Sequence, residues 1–155
     1  MQHAEVRTTT SNRKPGIRWG RIALAAFLAE VAVILIIGAA IMAHRILIAP
    51  GETPAESRAF GEVAGYDVGP FGGALMTFLF VLWVGRKLSS GFVLHGVLIG
   101  LAGVLLTVGF IFVAKPDQRV MYVISYVLRL TAGYAGGLAA RARFNGLPSP
   151  PVVPA

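Results

Sequence analysis

Two residues of opposite charge lie deep in apolar sequence: Glu30, within "AAFLAEVAVIL", and Arg129, within "SYVLRLTAGYAGG". A carboxylate in such surroundings can exchange a proton or hold a cation, and a guanidinium can hold an anion. Facing one another, they neutralise each other. A charge in hydrocarbon costs a few kcal/mol or more, so ionisable side chains there turn towards the bundle interior and find partners. Tyr122, Ser125 and Tyr126 share the helical face of Arg129 and can supply further hydrogen bonds, while Ala23 and Ala26 on the face of Glu30 leave room for close contact. The pair has two main uses. It can act as a clamp that sets helix register, or it can couple protons or a charged solute through Glu30. A fully paired carboxylate is a poor proton carrier, which favours the clamp. A pair formed between chains of an oligomer or a larger complex is the third arrangement.

Other chemistry lacks its residues. There is no glycine-rich phosphate loop ending in Lys-Ser/Thr, no His-Glu-x-x-His and no Gly-x-Ser-x-Gly. The three histidines, His3, His44 and His95, are too far apart to read as a metal motif, and the absence of cysteine excludes disulfides and thiolate ligands. With no convergent nucleophile and base, the expectation is a protein that is not an enzyme and that uses neither metal nor cofactor. His95 is expected as an interfacial, solvated residue, and His44-Arg45 as an anchor at the opposite boundary. Trp19 and Trp83 fall where indoles gather at a membrane edge.

The elements that must position these residues follow from composition. Of 155 residues 55% are hydrophobic and 14% charged, with a mean hydropathy of +0.71. Four stretches, at about 22–42, 68–85, 93–113 and 120–140, have or approach the roughly 17 to 25 apolar residues that cross about 30 Å of hydrocarbon as helix. Spanning strands would need the alternation of a barrel, which is missing. The expected fold is therefore all-α, a four-helix transmembrane bundle occupying residues 17–144. It is flanked by a disordered polar tail at 1–16 and a proline-rich extended tail at 145–155. The first apolar run is longer than a signal-peptide core and leads into His44-Arg45, so it reads as an uncleaved anchor.

The net charge of +7 is distributed by side. Arg7, Arg13, Lys14, Arg18, Arg21, Arg86, Lys87, Arg141 and Arg143 fall together when four spans are threaded through a membrane. The opposite side mixes Arg45, Arg58, Lys115 and Arg119 with five carboxylates. By the positive-inside rule both termini are cytoplasmic, as in a multi-pass protein of a bacterial inner membrane. The basic excess is then a topology signal, with no specific nucleic-acid partner implied. In the first external loop, Thr53-Pro54-Ala55-Glu56 has the form of a capping box with proline at the first helical position. It predicts a short amphipathic helix, ending at Gly65, on the outer membrane surface.

Glycines at helical spacing predict how the spans pack: Gly96, Gly100 and Gly103 on the third, Gly133 and Gly137 on the fourth, and Gly69 with Gly73 on the second. Such faces serve contacts within one chain, with a second copy, or within a larger membrane complex; the bilayer is the other partner. Measured from the basic end, Glu30 lies about 13.5 Å beyond Arg21 and Arg129 about 18 Å before Arg141, at the helical rise. The depths match within side-chain reach, so the first and fourth helices are expected to be neighbours. The second and fourth spans also end alike, in "VGRKLSSG" and "AARARFNG", a faint trace of two hairpins in parallel repeat.

The stretch "AAFLAEVAVIL" resembles the first helix of small multidrug-resistance transporters, where a membrane glutamate sits in a similar Leu-Ala-Glu setting. That resemblance implies four spans in a short chain and a Glu30 that binds proton and cationic drug in turn. The long loop, Arg129 and the two tails depart from that pattern, and Arg129 would hold Glu30 ionised. In architecture the chain resembles uncharacterised small four-span bacterial membrane proteins, whose hairpins end in a glycine-rich segment and an arginine, a likeness that implies no activity. The overall expectation is a structural or accessory membrane component acting through helix contacts, the alternative being a small proton-coupled transporter using Glu30.

Overall fold

The computed structural model describes residues 16–145. The expected tails at 1–16 and 145–155 lie, apart from Gly16 and Asn145, outside the described residues. Helix α1 (Trp19–Ala43) continues into a π-helical turn (His44–Ile48), followed by α2 (Pro54–Gly85), α3 (Phe92–Thr107), a single turn α4 (Phe110–Val113) and α5 (Arg119–Phe144). No strand occurs among the described residues. Four segments, Trp19–Ile48, Pro54–Gly85, Phe92–Val113 and Arg119–Phe144, are long and apolar enough to cross a membrane. Together they describe a multi-pass membrane protein.

The helices form a ring in the order α1, α2, α5, α3. Helix α5 packs on α2 and α3, as does α1, so α1 and α5 occupy opposite corners. The expectation that the first and fourth spans adjoin is thus corrected. The reason lies in where the small residues fall. Added to Gly96 or Gly133, a Cβ would run into the carbonyl oxygen of the other residue, and on Gly100 or Gly137 it would come within 2.8 Å of Arg129 O or 2.7 Å of Val93 Cα. These glycines let α3 and α5 touch backbone to backbone. Gly136 and Gly85 bring α5 close to α2, each making room for a side chain of the other helix, Val81 and Ala140 respectively. The glycines of α1, Gly20 and Gly38, meet nothing within 4 Å and draw in no neighbour.

Helix α2 starts where its capping box forms: Glu56 N donates to Thr53 Oγ1 at 3.3 Å and Thr53 N donates to Glu56 Oε2 at 2.8 Å. It does not end at Gly65. Instead it runs unbroken through Pro70 for 32 residues, about 48 Å at the helical rise. The expected separate surface helix is the first part of this long one. A glycine inside a helix costs only about 1 kcal/mol, too little to stop it, and proline removes one hydrogen bond without forcing a break.

At the end bearing Arg18, Arg21, Arg86, Lys87, Arg141 and Arg143, here the basic end, Gly91 adopts a left-handed φ of 71° that turns the chain into α3. The hydrophobic core, comprising Ile22, Ala25, Ala26, Val81, Val84 and Ile99, lies in this half. The opposite half, the loop end, is shaped by irregular chain. Thr107 Oγ1 donates back to Gly103 O at 2.9 Å where α3 stops, and α4 is reached through Val108-Gly109. The π turn is held by the Ala49 N–H donating to His44 O at 2.9 Å. The His44 ring stacks on Phe60 at 3.8 Å, and its Nδ1 lies 3.4 Å from Glu52 Oε2.

Candidate functional site

Glu30 and Arg129 meet across the centre of the bundle, from opposite corners. Arg129 Nη1 pairs with Glu30 Oε1, and Nη2 donates to Oε2 at 3.1 Å, a two-point match of guanidinium to carboxylate. Arg129 Nε donates to Ser125 Oγ at 3.4 Å, one helical turn earlier. The residue is 5% exposed. Two glycines make the crossing sterically feasible. A Cβ on Gly73 of α2 would stand 2.6 Å from Nη2, and one on Gly103 of α3 would stand 3.3 Å from both Nη1 and Glu30 Oε1. Gly103 therefore walls the charge pair, unlike Gly96, Gly100, Gly133 and Gly137, which sit in the helix contact. Thr77 is buried one turn below Gly73 and returns its hydroxyl to Gly73 O at 2.8 Å.

Of the three polar residues expected around Arg129, only Ser125 bonds to it. Tyr126 donates instead to Thr107 O at 3.1 Å, tying α5 to the end of α3. Tyr122 lies against Tyr126 with ring centroids 6.5 Å apart. Both rings face a cavity of about 500 Å³ that leads from the ion pair to the loop end. Its polar wall comprises Tyr66, Gln118, Tyr122 and Tyr126, with Glu62 and Lys115 at the rim and Ser125 beside the pair at the floor. Lys115 Nζ and Glu62 Oε2 are 3.4 Å apart, so rim and floor each carry one cation matched to one anion.

Sequence reasoning did not find this cavity. The signal available was a run of three glycines at four-residue spacing, Gly61, Gly65 and Gly69, all of which line it. Gly69, expected to pack like Gly73, does not: a Cβ on Gly65 or Gly69 would meet nothing within 4 Å. His95 is a second correction. It is 4% exposed rather than solvated, with Nδ1 2.9 Å from Gly91 O and Nε2 accepting from Arg18 N at 3.3 Å. The carbonyl facing Nδ1 and the amide facing Nε2 assign the proton to Nδ1. His95 thereby satisfies an N–H at the start of α1, where no side chain of α1 itself caps the helix.

Among the described residues, no three His, Cys, Asp or Glu side chains stand close enough together to hold a metal ion. Comparison of the chain with models of protein families, with curated proteins and with solved structures finds no match.

Proposed function

We propose that this is a structural or accessory component of a bacterial inner membrane, with both termini cytoplasmic, acting through helix contacts with a second copy or a larger membrane complex. Glu30 and Arg129 serve as its register clamp. The observation that carries this reading is that the two charges satisfy each other inside a slot walled by Gly73 and Gly103. A carboxylate paired with a buried guanidinium is poorly placed to pick up a proton. No catalytic residue is assigned.

The test separates pairing from chemistry. Losing one member of a buried pair typically costs about 3–5 kcal/mol, whereas replacing both by apolar groups of similar volume is often neutral. Glu30→Gln should therefore lower the thermal unfolding midpoint in lipid nanodiscs, and Glu30→Leu with Arg129→Met should restore it. The restored protein should still co-purify its partners from native membranes. An unchanged midpoint in Glu30→Gln would remove the clamp.

One observation favours the second reading, a small proton-coupled transporter: the cavity reaches Glu30 from the loop end. On that reading Glu30→Gln folds normally and abolishes pH-dependent solute flux in proteoliposomes.

A further inference from the structure

We infer that the cavity between the ion pair and the loop end is a binding site for one uncharged, ring-bearing amphiphile with a hydroxyl or amide N–H donor. This goes beyond the clamp, which stays intact when the site is filled. At about 500 Å³ the space falls within the usual range for small-molecule sites, roughly 300–1,000 Å³.

Charge sets the ligand class first. Every formal charge that borders the cavity is already matched, Glu30 by Arg129 at the floor and Glu62 by Lys115 at the rim. An ionic ligand would lose its hydration and find no free counter-charge. To gain one it would have to break the exposed Lys115–Glu62 contact, which offers a charge only at the mouth, or split the floor pair, leaving a buried charge uncompensated. A neutral ligand meets no such obstacle. The wall selects next: Ile37, Pro70, Phe110 and Met121 provide apolar surface, while the rings of Tyr66, Tyr122 and Tyr126 offer offset or edge-on stacking. The donor follows from the polar lining. The side-chain oxygens that line the cavity, those of Tyr66, Gln118, Tyr122 and Ser125, accept hydrogen bonds from a hydroxyl or amide N–H.

Gly65 and Gly69 point the same way independently. Glycine inside a helix is worse than alanine by about 1 kcal/mol, a cost usually offset by close packing. Gly73, Gly96 and Gly133 show that offset, each pressed against a neighbour. Gly65 and Gly69 have none, since no atom lies within 4 Å of where their Cβ would be. Unlike Gly20 and Gly38 of α1, which are equally unpartnered but stand away from it, Gly65 and Gly69 line the cavity, so a side chain at either position would take up its space.

Three probes sharing one ring system test the assignment: naphthol, naphthoate and naphthylmethylammonium, titrated by fluorescence anisotropy into the full chain in phosphatidylcholine nanodiscs, with empty nanodiscs as blank. Naphthol should bind saturably, one per chain, and about tenfold more tightly than either ion, a gap of about 1.4 kcal/mol. Gly65→Leu and Gly69→Leu, which grow a side chain into open space, should each weaken naphthol by about tenfold while keeping the wild-type unfolding midpoint or raising it. Using two positions keeps the test decisive if one variant misfolds. The inference is overturned if naphthol shows no saturable binding above the blank, if either ion binds as tightly as naphthol, or if the folded leucine variants bind naphthol unchanged. A preference for the ammonium probe would point instead to exchange at Glu30. Failure of naphthol to bind leaves the clamp standing, since the unfolding midpoints of the paired variants judge it separately, whereas a preference for the ammonium probe counts against both.

Discussion

Arg129 contacts two kinds of group: a carboxylate that neutralises it and a glycine that makes room for it. Their energies should be coupled. In Gly73→Ala the new methyl group would stand 2.6 Å from a guanidinium nitrogen that is pinned at its other end by Glu30. The substitution should therefore lower the unfolding midpoint clearly in the wild-type chain. It should do so far less once Glu30→Leu and Arg129→Met have replaced the pair, giving a coupling of about 0.5–3 kcal/mol in the resulting mutant cycle. The presence of both charges at similar depth was readable from residue spacing; the glycine opposite them was not, because Gly73 lies 43 residues from Glu30 and 56 from Arg129 along the chain. His95 shows the same limit. Its neighbours Gly91 and Arg18 are four and 77 positions distant, and only the first is visible in local sequence. His95→Phe keeps the ring but removes both bonds, each worth about 0.5–1.5 kcal/mol, and hydrogen exchange should report faster opening of the first turns of α1.

At the scale of the element, one residue type does opposite jobs. Gly96→Ala or Gly133→Ala places a methyl group on the backbone of the facing helix and must push α3 from α5, so both variants should unfold at markedly lower temperature. Gly65→Ala and Gly69→Ala place theirs in open space and should raise the midpoint, each contributing up to about 1 kcal/mol from helix propensity. Spacing alone treats all these glycines alike, and nothing in the sequence around Gly69 separates it from Gly73. Helix ends divide in a similar way. The start of α2 is legible because its capping box is a local device within four residues, and Thr53→Ala should cost about 1 kcal/mol and increase exchange in the first turn. The end expected at Gly65 was misread because a breaker is only a local preference, which the continuing helical hydrogen bonds of α2 outweigh.

For the whole molecule, the distribution of basic residues predicts an orientation that can be tested directly, since the chain has no cysteine of its own. Arg143→Cys and Ser57→Cys each introduce a unique thiol at opposite ends of the bundle. A membrane-impermeant maleimide should label Ser57→Cys in intact spheroplasts and Arg143→Cys only after permeabilisation; the reverse pattern would invert the topology. By itself the sequence determined the solvent class, the number of spans, their helical character and the presence of two deep opposite charges. Each depends on composition or on contacts within one turn, where hydrophobicity and the 1.5 Å rise act without reference to the rest of the fold. The order of the helices around the ring, the diagonal reach of Arg129 to Glu30 and the cavity above them were decided only by tertiary structure. They depend on which small residues face one another across helices far apart in the chain, and on space that no side chain enters. A sequence records the side chains present, whereas a void is a property of how they are arranged.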